Sequence, residues 1–433
     1  HGLIAGGTGS GKSEFIIAYI LSMALNYSPD EVAFVLIDYK GGGLTDAFVN
    51  EKIGLHLPHV VGTITNLDGA AIQRSIVSLN SELKRRQAVF TEAKALTNEG
   101  TMDIYEYQKY YRNGKLKEPL PHLFIITDEF AELKKQEPEF MDELISIARI
   151  GRSLGVHLIL ATQRPTGVVN DQIMSNVKFK VCLKVADKSD SMEMIRKPDA
   201  AEIKNVGRFY LQVGFNEYFA QGQSAWSGAD YMESDEVRKE VDQSIQILDN
   251  TGQTVLSVKP QEDVKKSGSK QIVAIVRYLS RLAEQEGISP RKLWKDPLKN
   301  NIELKDMLTG RLADNNKEMS AVLGVIDDAT KQRQFPYVLD LNSFRNILVC
   351  GPAGSGKSTV IRSLLYNVVN KYSPEEINYY ILDFSNGALR EMSAAAHCGA
   401  YLTDKSENDF NRLLALLENT VAERKLSVAE TRY

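Results

Sequence analysis

Residues 6–13 read Gly6-Gly7-Thr8-Gly9-Ser10-Gly11-Lys12-Ser13, the pattern G-x-x-x-x-G-K-S. On the N-terminal side, Leu3-Ile4-Ala5 reads as the end of an apolar strand. On the C-terminal side, Phe15 to Asn26 is apolar nearly all round, as expected of a helix packed against a sheet. A glycine-rich turn between strand and helix is the context that gives the pattern its meaning. The glycines let the backbone pass close to a phosphate chain, and the free N–H groups with the helix N-terminus supply partial positive charge. Lys12 is expected to reach the β- and γ-phosphates and Ser13 to offer its hydroxyl to Mg2+. All eight positions are therefore candidate nucleotide-binding residues.

The pattern occurs twice. Residues 351–358 read Gly351-Pro352-Ala353-Gly354-Ser355-Gly356-Lys357-Ser358, and Lys357 follows Lys12 by 345 residues. Residues 28–38, SPDEVAFVLID, return as residues 373–383, SPEEINYYILD, and Asp383 follows Asp38 by the same 345. One offset held across two segments argues for duplication. Gly351 to Ser358 and Thr359 are thus a second set of candidate nucleotide contacts, with Ser358 a second magnesium candidate.

Each unit alternates strand, glycine turn, helix and strand, the signature of a parallel sheet with helices on both faces. Ala33–Ile37, Leu123–Thr127 and His157–Ala161 are continuous apolar runs suited to strands buried on both sides. The expected fold class is α/β: tandem P-loop NTPase modules of RecA/FtsK-like kind, each a parallel sheet flanked by helices. The polar run from Pro260 to Ser269 reads as a linker. It sets an expected first module at 1–260, lacking its first strands and with 232–260 peripheral. The expected second module is 261–433, C-terminally incomplete.

Composition narrows the class. The chain of 433 residues has 43% hydrophobic and 25% charged residues, ordinary for globular domains. Its net charge of −4 shows no basic footprint of the kind that tracks nucleic acid. The three cysteines match neither a disulfide framework nor a zinc spacing, which fits a reducing compartment. Cys350 ends the apolar run Ile347-Leu348-Val349-Cys350 and is expected in a buried strand. The longest apolar stretch, Phe15 to Leu25, is too short to span a bilayer.

The hydrolytic residues are sought at strand ends beside the first loop. Leu123 to Thr127 leads into Asp128-Glu129. Asp128 is the expected magnesium residue and Glu129 the base that positions the attacking water. Leu158 to Thr162 leads into Gln163, a candidate sensor of the γ-phosphate. Arg149 and Arg152 are candidates for an arginine finger reaching a neighbouring subunit. His157 reads as packing rather than catalysis.

Val35-Leu36-Ile37-Asp38-Tyr39-Lys40-Gly41-Gly42-Gly43 and Ala161-Thr162-Gln163-Arg164-Pro165 go beyond a generic phosphate loop. So do Gly62 to Leu67, Ala148 to Leu158, Pro198 to Ile203 and Gln223 to Tyr231. Together they resemble the FtsK/SpoIIIE branch of motor ATPases, and within it the type VII (ESX, or WXG) secretion ATPases. The resemblance covers essentially the whole chain. It implies a string of three ATPase modules behind a membrane-anchored part, of which this chain resembles the first two, at the cytoplasmic face of the membrane. It also implies ATP and Mg2+ as cofactors and a hexameric ring. The implied partners are small WXG-type helical proteins for export and other membrane components of the system, with no nucleic acid expected. The second module departs from the pattern: Asp38-Tyr39-Lys40-Gly41-Gly42 becomes Asp383-Phe384-Ser385-Asn386-Gly387, without the lysine. The resemblance therefore implies nucleotide binding through Lys357 and Ser358, and no more than that. Two alternatives stand beside the secretion motor: a DNA translocase of the FtsK type, and a nucleotide-bound scaffold or substrate receptor with little turnover.

Overall fold

The computed structural model describes residues 1–38, 43–65, 69–169, 173–174, 177–214, 217–231, 245–249, 251, 253–258, 268–294, 298–299, 301–303, 319–343, 346–385 and 387–430. Tyr39 to Gly42 with Lys40, Asn66-Leu67, the polar run 260–267 and Asn386 lie outside the described residues. Two units separate, one of His1–Lys295 with Ala329–Gln332 and one of Asp296–Asp328 with Arg333–Tyr433.

In the first unit the chain runs through β1 (Gly2–Ala5), α1 (Lys12–Asn26), β2 (Val32–Asp38) and a small ladder of β3 (Val49–Asn50) with β4 (Leu55–His56). It continues through β5 (Val60–Ile64), β6 (His122–Asp128), β7 (Val156–Thr162), β8 (Phe179–Leu183), β9 (Arg208–Val213) and β10 (Tyr218–Gln223). A separate antiparallel pair follows, β11 (Ile245–Leu248) with β12 (Thr254–Val258). The main sheet has the order β10-β9-β8-β1-β7-β6-β2-β5. Six neighbours, from β5 to β8, are parallel, and β9 turns antiparallel to both β8 and β10.

Strand side chains alternate between two cores, as a period of two requires. Leu3, Ala5, Ala33, Val35, Ile37, Leu123 and Ile125 face one side, with helices Gly69–Thr97 and Pro138–Gly151 over them. Ile4, Val32, Phe34, Leu36 and Ile126 face the other, against Ile16, Ile17, Ile20 and Leu21 of α1. Every residue of β2 is buried, the mark of a central parallel strand. The mostly parallel α/β architecture expected from the sequence is present.

The packing boundary falls later than the polar run suggests. Helix Gln271–Gln285 lays Val276 and Leu279 into the core beneath α1. The Leu293 N–H bonds to the Val61 carbonyl at 3.0 Å, and the Trp294 ring lies against Gly62. Polarity marks where a chain is solvated; a downstream helix with an apolar stripe still joins whichever core accepts it.

The second unit contains a hairpin of β13 (Ser320–Asp328) with β14 (Arg333–Asp340), helix Lys357–Lys371, the parallel pair β15 (Tyr379–Leu382) and β16 (Cys398–Leu402), and helix Glu407–Glu430. The buried Asn367 amide fastens the first helix to β13, donating to the Val322 carbonyl at 2.9 Å and accepting the Val322 N–H at 3.2 Å. The buried strand expected at Ile347–Cys350 is not formed: these residues carry no strand pairing, Cys350 is exposed and Leu348 is 87% exposed. The reason is pairing. Its counterpart β1 lies between β7 and β8. Apolar side chains alone do not make a strand when its N–H and C=O groups have no ladder to join.

Candidate nucleotide site

Gly11 adopts a left-handed conformation, φ 91° and ψ 16°, and starts α1 at Lys12. The turn is backed by a segment that the sequence did not single out. The Gly207 N–H donates to the Ser10 carbonyl at 2.9 Å, and a Cβ on Gly11 would stand 2.9 Å from the Gly207 nitrogen. Two glycine backbones thus touch, and the loop is braced from the side of β9.

Lys12 is buried, and its ammonium bonds to the Asp128 carboxylate, with Glu129 Oε2 at 3.8 Å. β1 and β6 flank β7, so parallel strand ends deliver these groups to one spot, the usual ligand edge of such a sheet. Asp128 also lies beside Asp38 in the β2–β6 ladder. Asp38 is buried and accepts the Leu44 N–H at 2.8 Å, which holds the turn after β2. Glu129 sits in the left-handed region, φ 57° and ψ 55°. That conformation costs a non-glycine residue on the order of 1 kcal/mol and is kept where the surroundings enforce it.

Gln163 is where its strand end predicts. Its side-chain oxygen accepts from Thr8 Oγ1 of the loop at 3.2 Å, and its N–H donates to Glu129 Oε1 at 3.2 Å. Thr162, not singled out in the sequence, is fully buried and donates to the same Glu129 oxygen at 3.1 Å. Ser13 is exposed in the first turn of α1. A hydroxyl, a carboxylate, nucleotide oxygens and water form the donor set magnesium takes. Ser13 and Asp128 fit it, and it needs no cluster of three acidic or histidine ligands; the described residues contain none.

Arg149 and Arg152 are exposed and stand apart from this group. They precede β7, whereas Gln163 follows it, so the seven-residue strand separates them from the loop by roughly 23 Å at ~3.3 Å per residue. Neither reaches the phosphate loop of its own module. His157, at the same far end, stacks on Phe124 with ring centroids 4.6 Å apart and on His122 at 5.2 Å. Burial pushes both histidines down, His122 to about 4 and His157 to about 3.

The second loop repeats the first in backbone. Gly354 and Gly356 have φ 78° and 90°, against 76° and 91° for Gly9 and Gly11. Leu389 N–H donates to Asp383 Oδ2 at 3.4 Å, the counterpart of the Leu44–Asp38 bond. Bonds from the Ser385 hydroxyl and N–H hold the Asp383 carboxyl below the usual carboxylate range. Lys357 bends back onto its own loop, donating to the Gly351 and Pro352 carbonyls at 2.7 Å each.

The FtsK/SpoIIIE family profile matches residues 1–167 and 303–432. The chain is 41% identical to the type VII secretion system protein EssC of Staphylococcus aureus strain MRSA252, an alignment that covers 100% of this chain and 29% of that protein. It is 42% identical to the ESX secretion system protein YukB of Bacillus subtilis strain 168, over 98% of this chain and 27% of that one. Among solved structures it is similar to the cytoplasmic domain of the type VII secretion ATPase EccC of Thermomonospora curvata. There the TM-score is 0.75 and the identity 27%, with 99% of this chain and 46% of that chain covered. The chain thus spans less than a third of the length of these curated relatives.

Proposed function

This chain belongs to the FtsK/SpoIIIE family, and from that premise we propose that it supplies two consecutive ATPase modules of a type VII secretion motor. The observation that carries the reading is the group at the first loop: Lys12, Asp128, Glu129 and Gln163 meet at neighbouring strand ends beside a glycine-rich phosphate cradle. Identity to EssC across the full chain supports the secretion assignment over a generic motor.

In this reading Gly6 to Ser13 cradle the triphosphate, with Lys12 on the β- and γ-oxygens. Ser13 and Asp128 hold magnesium, which when bound offsets charge on those oxygens. Glu129 accepts a proton from the attacking water, and Gln163 reports the γ-phosphate to the strand end. Arg149 or Arg152, at the far end of β7, serves the loop of a neighbouring subunit in a ring. Gly351 to Thr359 bind a second nucleotide, with Ser358 toward its metal, and hydrolysis is assigned to the first module. The chain works at the cytoplasmic face of the membrane within a larger protein, and its cargo is small helical proteins of the WXG type. Among the described residues no helix is long and apolar enough to cross a membrane. The net charge of −4 speaks for a protein track rather than DNA.

The test is ATP turnover at rising protein concentration, with Glu129→Gln alongside. Turnover should rise more than linearly with concentration, and Glu129→Gln should lower it by about 10² to 10⁴. Full activity in that variant refutes the assignment of the base. Salt-sensitive binding of duplex DNA with stimulated turnover refutes the protein track.

A further inference from the structure

The hydrogen bonds around Glu129 form a chain that the roles above leave unused. One carboxylate oxygen, Oε1, accepts both the Thr162 hydroxyl at 3.1 Å and the Gln163 N–H at 3.2 Å. The other, Oε2, lies on the Lys12 side at 3.8 Å. Thr162 is fully buried at the end of β7, so its hydroxyl has no water to turn to. It also accepts the Arg164 N–H at 3.2 Å and stands 3.2 Å from the Arg164 carbonyl. A hydroxyl has one proton to give, and an ionised carboxylate is a stronger acceptor than a carbonyl. The geometry therefore directs that proton to Glu129.

We infer that Thr162 is a positioning residue for hydrolysis in the first module: with the Gln163 N–H it pins one oxygen of Glu129 so that the other faces the reacting phosphate. This rests on Glu129 being the base. The pinning has something to hold, because Glu129 occupies a left-handed backbone conformation that is unfavourable by itself. The same two residues tie the base to the loop, since the Gln163 side chain accepts from Thr8 Oγ1. Displacement of Thr8 is thereby carried through one residue to the carboxylate. The repeat supplies a natural control. Thr8 corresponds to Ala353, which has no hydroxyl, so the second loop is unable to make this link.

The experiment uses Thr162→Val, which keeps the shape and removes the hydroxyl, with Thr162→Ser, Thr8→Ala and Glu129→Gln, all in the full-length protein. Turnover is measured against ATP concentration, binding against a non-hydrolysable ATP analogue, and folding by thermal midpoint. Thr162→Val should lower kcat by about 10-fold to 100-fold while KM and analogue affinity stay within about twofold, and Thr162→Ser should recover most of the loss. Thr8→Ala should lower kcat several-fold, by less than Thr162→Val. If Thr162→Val keeps kcat while Glu129→Gln abolishes it, the positioning role is wrong and the base assignment stands. If Glu129→Gln keeps kcat, the reading beneath it fails first. If Thr162→Val loses binding and thermal midpoint together and serine does not restore kcat, the residue is structural only and the inference is overturned.

Discussion

The two phosphate loops share a backbone and differ in company. Gly9 and Gly354, and Gly11 and Gly356, agree in φ to within two degrees. The same carboxylate at the end of the second strand ties down the same turn, through Leu44 in one and Leu389 in the other. Yet Lys12 meets the carboxylates of Asp128, the last residue of β6, and Glu129, the residue after it, while Lys357 bonds to carbonyls of its own loop. The cradle is thus a local structure, specified within about eight residues. The group proposed for hydrolysis is a non-local one, assembled by strands that arrive more than a hundred residues later.

The sharpest way to break this comparison is to remove each lysine in turn. Lys12→Ala should reduce turnover by about 10² to 10³, the usual loss when one charge-stabilising donor is deleted from a transition state. Lys357→Ala should lower the number of nucleotides bound per chain and leave turnover within about threefold. Calorimetric stoichiometry and steady-state rates on the same samples decide it. Equal rate losses would mean that both modules hydrolyse, and the functional difference drawn from the missing lysine in Asp383-Phe384-Ser385-Asn386-Gly387 would collapse.

The sequence carries most of the local structure and much of the site. Strand β2, its helix partner and both loops announce themselves by composition. Lys12 is located by the glycine-rich motif, and Asp128, Glu129 and Gln163 stand where apolar strands end. Thr162 was hidden because threonine is among the residues enriched in strands, so one closing an apolar strand carries no signal of its own. Only the fold shows that its hydroxyl meets Glu129. Gly207 was hidden for a different reason: its contact with Gly11 joins segments nearly two hundred residues apart. Ile347 to Cys350 misled in the opposite direction. Among the described residues these four carry no strand pairing. The core that receives helix Gln271–Gln285 was not legible in the sequence.

The bracing by Gly207 makes a second, smaller contrast. Both Gly11 and Gly356 hold φ near +90°, so alanine at either position is strained by about 1–2 kcal/mol. A Cβ on Gly11 would also meet the Gly207 backbone at 2.9 Å, whereas one on Gly356 meets nothing within 4 Å. Backbone cannot rotate aside as a side chain can, and such overpacking adds about 1–3 kcal/mol. Gly11→Ala should therefore destabilise its unit by about 3 kcal/mol in denaturant unfolding, and Gly356→Ala its own by about 1–2 kcal/mol. Equal losses would show that the β9 side does not brace the first loop.

The smallest expected difference between the units is their response to acid. Of the six histidines, five lie in the first unit and His397 alone in the second. His122 and His157 pair ring to ring, Nδ1 to Nε2, at 2.9 Å. Burial lowers His122 to about 4, helped by the charges of Arg86 and Arg112 and opposed by Asp103 and Glu31. Burial lowers His157 to about 3, with His122 itself and Arg86 adding to it. Both rings are kept neutral in the fold and take up protons near 6.5 once unfolded. The unfolded chain therefore binds more protons below that pH, and the stability held above 6.5 drains away as pH falls toward the folded values. At pH 5 the two together should cost the first unit about 1–2 kcal/mol after allowing for partial solvent access. His157→Phe keeps the stack on Phe124, removes one of the two titrations, and relieves His122 of its neighbour. Unfolding of this variant at pH 7 and pH 5 should show about half the acid sensitivity of the parent. An undiminished slope would move the acid response to carboxylates elsewhere, and with it the claim that this difference between the units comes from the far end of β7.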